Sequence, residues 1–130
     1  MSVRFISDDD TVKNSGFITP WVFIHLLSGL IIYLYLKFIF RDISIIIAFM
    51  IMIVIHTIYE LYDLLYYFKI TKNNTYWANN SLVNSIGDTV FAIIGFFIAT
   101  QIKDINIYVV ISCTIFYILT MIVFVKLRLH

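Results

Sequence analysis

The chain has 130 residues, of which 62% are hydrophobic and only 13% are charged, and its mean hydropathy is +0.95. Soluble domains carry about 25% charged residues, so this composition predicts an integral membrane protein. The formal charge of +1 excludes a nucleic-acid binder that works through a basic field. The single cysteine, Cys113, excludes an internal disulfide and a metal site built from several thiolates.

The apolar residues occur in long continuous runs, such as 43–55, rather than in the alternating pattern of half-buried strands. Such runs indicate helices. A polar, acidic tail at 1–19 precedes them. Four helices are then expected in chain order, at 20–40, 43–68, 81–102 and 105–125. Each supplies the ~20 residues that a helix needs to cross the hydrocarbon of a bilayer. The predicted fold is therefore all-α, a four-helix transmembrane bundle in one domain at 20–130.

The orientation of such a multi-pass protein follows from its basic residues, which collect on the cytoplasmic side. Segments separated by an odd number of spans lie on opposite sides of the membrane, so the basic residues fall into two groups. One side has Lys37, Arg41 and Lys103. The other has twice as many: Arg4, Lys13, Lys69, Lys72, Lys126 and Arg128. Both termini are therefore predicted to face the cytoplasm.

Several polar side chains lie inside the predicted spans, where an ionisable group costs at least a few kcal/mol. In the second span the spacing of four, three and four places His56, Glu60, Asp63 and Tyr67 within about a 60° arc of the helix. On the third span, Asn84 and Asp88 share a face, with Ser85 beside it; His25 lies on the first span. If consecutive spans are antiparallel neighbours, these side chains lie at similar depths in the membrane. We therefore expect them to converge.

Such a cluster is predicted to bind a lipid headgroup or a cation, with His56, Glu60 and Asp88 as catalytic residues. His25, Asn84, Asp63 and Ser85 are the expected binding residues. His56 and Glu60 lie one turn apart, as helical metal ligands do. With Asp88 as the third ligand and His25 to complete the set, the donors suit a divalent zinc, manganese or iron ion. Water on that metal would hydrolyse a lipid or phosphoester bond.

Two other functions fit the same residues. In the first, the cluster belongs to a proton or cation pathway, and a homo-oligomer supplies the pore. Alternatively, the protein is structural, and its polar groups only fix helix packing beside the small residues Ala92, Gly95 and Ala99. Glu60 and Asp88 weigh against the second alternative. Two neighbouring carboxylates repel each other unless a proton or a cation lies between them.

Two motifs, one on each of the second and third spans, resemble VanZ-like membrane proteins. They are His56-Thr57-Ile58-Tyr59-Glu60 and Asn84-Ser85-Ile86-Gly87-Asp88-Thr89, with Gly95-Phe96 downstream. The resemblance implies a small multi-pass membrane protein of a group associated with glycopeptide-antibiotic resistance. It singles out Glu60, Asn84, Asp88 and His56, and membrane lipid is the partner expected for such a protein.

Overall fold

A computed structural model of the protein describes residues 17–71 and 82–126. Within these ranges it has four α-helices: α1 (Val22–Ile39), α2 (Ile45–Thr71), α3 (Leu82–Ala99) and α4 (Ile107–Lys126). The predicted all-α fold with four helices is confirmed. The predicted tail lies largely outside the described residues, as do Arg4, Lys13, Lys72 and Arg128 and the side chains of Asp63, Tyr67 and Lys69.

Short polar side chains accept hydrogen bonds from backbone N–H groups at the starts of two helices and in the turn before a third. The hydroxyl of Thr19 accepts a hydrogen bond from the backbone N–H of Trp21 at 3.3 Å, in the turn that leads into α1. Ser44 Oγ accepts from the N–H of Ile47 at 3.2 Å at the start of α2. Asn106 Oδ1 accepts from Tyr108 N at 2.9 Å and from Val109 N at 3.2 Å before α4. These contacts satisfy N–H groups that a helix leaves without an internal partner.

Three helices contain segments that are long and apolar enough to cross a membrane: Val22–Ile39, Ile45–Tyr62 and Ile107–Phe124. Each has 18 residues, or about 27 Å of helix. The apolar stretch of α3, Val83–Ala99, is shorter. This helix stops before the predicted end at residue 102 because the chain turns after Ala99, where Gln101 N donates to Ile98 O and Ile102 N to Ala99 O.

The helix α1 contacts the other three helices and packs most extensively on α3. Glycine makes the close approach possible. A Cβ atom built on Gly29 would overlap the carbonyl oxygen of Ala92, and one on Gly95 would overlap that of Leu26. One helical turn beyond the contact of Gly29 with Ala92, the rings of Tyr33 and Phe96 pack edge to face in the buried core, with centroids 5.0 Å apart. The position of α3 against α1 is therefore set by backbone contact.

We expect the replacement of Gly95 by leucine to lower the free energy of unfolding by about 3 kcal/mol, at the upper end of overpacking costs. The added side chain would meet backbone atoms of α1, which cannot move aside as a side chain can. Chemical denaturation in micelles measures the loss. The matched control is Val90→Leu, because Val90 is exposed on the same helix. Equal stability of the two variants would contradict this account of the α1–α3 contact.

Candidate functional site

The polar groups predicted inside the spans form a buried cluster between three helices. α1 contributes His25, α2 contributes His56 and Glu60, and α3 contributes Asp88. Their exposed fractions are 4%, 3%, 6% and 0%. The cluster lies one turn from the point where Gly29 touches Ala92, so the close contact of α1 with α3 holds His25 and Asp88 together.

Three atoms of this cluster form a small triangle, which we call the His/Glu triangle. His25 Nδ1 lies 3.1 Å from His56 Nε2. Glu60 Oε1 lies 3.4 Å from His25 Nδ1 and 3.6 Å from His56 Nε2. The spacing of His56 and Glu60 by one helical turn aims both at the same point, and α1 brings His25 to it from the neighbouring helix. All three residues are in a group that can hold one metal ion.

The contact of the outer nitrogen of His56 indicates which of the two ring nitrogens carries the proton. Thr89 donates its hydroxyl proton to the carbonyl oxygen of Ser85 at 2.8 Å. The Thr89 oxygen lies 3.4 Å from His56 Nδ1, and with its own proton committed it accepts from that nitrogen. A neutral histidine carries one N–H and one lone pair. Nε2 of His56 therefore turns its lone pair towards the triangle.

The outer nitrogen of His25 has a carboxylate as its partner. Asp88 Oδ2 lies 3.2 Å from His25 Nε2. The 3.1 Å contact of His25 Nδ1 with His56 Nε2 is a hydrogen bond, so one proton lies between the two rings. A metal ion bound there would take the place of that proton, and the negative charge of Asp88 would then favour the proton of His25 on Nε2. Metal-binding histidines in proteins commonly donate their second N–H to a carboxylate or another oxygen in this way. Asp88 and Thr89 thus lie beside the outer nitrogens of the two rings, where each favours a proton when the inner nitrogens bind a cation.

The size of the triangle suits a metal ion. Zinc lies about 2.0–2.2 Å from nitrogen and carboxylate ligands, and in a tetrahedral site two ligands are then about 3.3–3.6 Å apart. Two of the observed distances, 3.4 and 3.6 Å, fall in that range, and the distance between the two histidine nitrogens, 3.1 Å, is slightly shorter. Two lone pairs and a carboxylate oxygen at one point are stable when a cation or a shared proton lies among them. The triangle therefore presents one face of a tetrahedral coordination shell.

A cleft of about 220 Å³ reaches the two histidines. Its walls come from α1, α2 and α4, and apart from Ser28 and the two histidines they consist of Ile24, Ile31, Ile32, Ile55, Tyr59 and Tyr117. The ring of Tyr59 packs against that of His25 with centroids 5.9 Å apart. The polar cluster is thus connected to an apolar cleft.

Comparison with known proteins extends over nearly the whole chain. The sequence profile of a family described as "Protein of unknown function (DUF2585)" matches residues 2–129. The chain belongs to the DUF2585 family. No curated protein and no solved structure matches it. The family's description names no activity, so the function of this DUF2585 protein has to be argued from its site.

The structure brings together most of the residues that the sequence singled out in this DUF2585 chain. It places His25, His56, Glu60 and Asp88 in one cluster, while Asn84 and Ser85 are buried on the adjoining turn of α3. Asp63 belongs to α2, but its side chain lies outside what the structure describes. The catalytic and binding roles given to these residues stay predictions.

The geometry adds two points about individual residues. The predicted ligands were His56, Glu60 and Asp88, with His25 to complete the set. The distances group His25 with His56 and Glu60, and Asp88 lies beside the other nitrogen of the His25 ring. Thr89 was part of a quoted motif, but no role was predicted for it. Its position four residues after Ser85 was the available signal, because a threonine one turn on can donate to that carbonyl.

Proposed function

We propose that this protein is a multi-pass integral membrane protein whose His/Glu triangle binds one divalent transition-metal ion. The observation that carries the proposal is the convergence of three buried ligand atoms, from His25, His56 and Glu60, at the edge lengths of a tetrahedral site. Asp88 and Thr89 support it, since each lies beside the outer nitrogen of one ring and favours a proton there, which leaves the inner nitrogens for the ion.

Placement in a membrane is supported by the apolar outer faces of the helices. The exposed large residues of α4 are Ile107, Tyr108, Ile111, Ile115, Phe116, Ile118, Leu119, Ile122 and Val123. Contiguous apolar surface of this extent mixes with lipid and not with water. In the proposed arrangement α3 completes a bundle of four spans, and both termini face the cytoplasm as the basic residues predict.

The ligand set indicates which ions are expected. Two imidazole nitrogens and one carboxylate oxygen suit zinc, iron or manganese, whereas soft ions prefer thiolate or thioether donors. Catalytic zinc sites commonly have three protein ligands and keep a fourth position for water or substrate. The proposed site has that form, so it is suited to Lewis-acid chemistry on a lipid. The predicted resemblance to VanZ-like proteins is not tested by the family match and is part of this proposal.

Metal content is the direct test. We expect protein purified in detergent without chelators to hold about one zinc, iron or manganese ion per chain by elemental mass spectrometry. Because the ion binds the folded state, a free concentration one hundred times Kd adds about 2.7 kcal/mol to the free energy of unfolding. Thermal unfolding after chelation and after readdition of zinc measures this gain, and magnesium is the control.

The competing function is that the cluster only fixes helix packing. The backbone contact of Gly29 and Gly95 with α3 and α1 shows that packing is tight at this level of the bundle. On that account the protein binds no ion after purification or reconstitution with zinc, iron and manganese, and chelation leaves its unfolding temperature unchanged. Those two results together would overturn the metal proposal.

A further inference from the structure

The cleft beside the His/Glu triangle has the size and lining of a site for a single hydrocarbon chain. Its volume is about 220 Å³, below the roughly 300–1,000 Å³ of pockets for drug-sized molecules. Isoleucine and tyrosine make up most of its lining, and the two histidines and Ser28 supply the rest. On one side it reaches the outer face of α2, because Ile55 and Tyr59 are exposed at 45% and 46%. A slender chain can therefore pass from lipid into the cleft and end at the histidines.

The charges of the cluster indicate which headgroup that chain carries. Among the side chains of the cluster that the structure describes, the acidic ones are Glu60 and Asp88, and their two negative charges equal the charge of a divalent ion held by two neutral histidines. Both carboxylates are buried, and a net charge is costly in such surroundings. An anionic headgroup would add one negative charge in excess. A neutral oxygen would not, and it can still occupy the position that three protein ligands leave open.

We infer that the cleft binds a long-chain amphiphile whose neutral oxygen, an alcohol hydroxyl or an ester carbonyl, completes the coordination of the metal. This inference rests on the proposed metal site and names the class of molecule that the site takes. The chain lies against Ile31, Ile32 and Ile55, and its oxygen end lies at the end of the cleft that His25 and His56 line.

The test uses the full protein loaded with Co²⁺, in nanodiscs of ether-linked phospholipid that contain no ester carbonyls. The visible absorption of tetrahedral Co²⁺ responds to a change of ligand. Dodecanol and methyl dodecanoate are the two probes, and they distinguish the alcohol from the ester. At least one should change the spectrum at a concentration tenfold lower than dodecanoate, and dodecane should not change it. A response to dodecanoate at equal or lower concentration would overturn the inference.

Two matched variants test the location. Ile55→Trp fills the cleft, whereas Ile58→Trp adds the same ring to an exposed position of the same helix that does not line it. Ile58→Trp should keep the Co²⁺ spectrum, and each variant is titrated from its own spectrum recorded without probe. We expect Ile55→Trp to raise the half-saturating probe concentration at least tenfold and Ile58→Trp to leave it unchanged. Equal behaviour of the two variants would overturn the assignment to this cleft.

Failure of the metal site can be told apart from failure of the cleft. If the wild-type protein gives no Co²⁺ spectrum, the metal proposal is wrong, and a photoreactive dodecyl alcohol then tests the cleft alone. Labelling of Ile55 or Tyr59 that excess dodecanol suppresses would support a chain in the cleft. Labelling confined to other faces of the helices would overturn it.

Discussion

Glu60→Gln is expected to weaken metal binding by roughly a hundred- to several-thousandfold while the protein stays folded. The substitution keeps the shape of the side chain and removes the only negative charge in the His/Glu triangle. Removing one partner of a buried charge pair costs about 3–5 kcal/mol, and about 1.4 kcal/mol corresponds to a factor of ten in affinity. Competition with a chromogenic zinc chelator measures the change in Kd.

The matched control for Glu60→Gln is Asp42→Asn, which makes the same change from acid to amide at an exposed position between α1 and α2. This variant should bind zinc as the wild type does. Circular dichroism and size-exclusion chromatography check that both variants are folded. If Glu60→Gln binds zinc with unchanged affinity, Glu60 is not a ligand and the triangle has been assigned wrongly.

The fold was predictable because its main determinant is local. Continuous apolar runs of about 20 residues specify helices whatever their neighbours are, and Asp42 and Lys103 mark the polar breaks between them. The ends were predicted less well. The third helix stops at Ala99 rather than at residue 102, since the turn that follows it depends on backbone hydrogen bonds that apolar composition does not reveal.

The cluster was predictable where one helix carries the information. His56 and Glu60 are four residues apart, and this spacing alone aims both side chains at one point. The pairing of α1 with α3 is a different matter, because it depends on glycine backbones that meet across two helices distant in sequence. It decides that His25, and not Asp88, lies beside His56 and Glu60. Hydropathy and spacing give no register between helices.

Which nitrogen of His56 carries the proton could not be predicted from the sequence either. It depends on where a single hydroxyl proton goes, since Thr89 donates to the Ser85 carbonyl and accepts from His56. The same sequence with a different rotamer at Thr89 would leave the tautomer of His56 open. The protonation of the His56 ring, on which metal binding depends, is therefore decided by tertiary contacts.

Asp88→Asn is expected to weaken zinc binding by about 10- to 100-fold, less than Glu60→Gln does. Asp88 touches the outer nitrogen of His25 at 3.2 Å, so it orients and polarises a ligand without being one. Loss of such a partner typically costs 10–100-fold in metal affinity. The amide keeps the shape of the side chain, but it no longer balances the charge of the ion. The same chelator competition gives the two Kd values side by side.

The ratio of the two effects decides between two ligand sets. If Asp88 were itself a ligand, as the sequence alone predicted, Asp88→Asn would cost as much as Glu60→Gln. If the cluster only fixed packing, neither amide would change metal binding, because there would be none to change. A graded loss, larger for Glu60 than for Asp88, is the result that the triangle predicts. A loss at Asp88 equal to that at Glu60 would place the metal on the other side of the His25 ring, against Nε2 and Asp88 Oδ2.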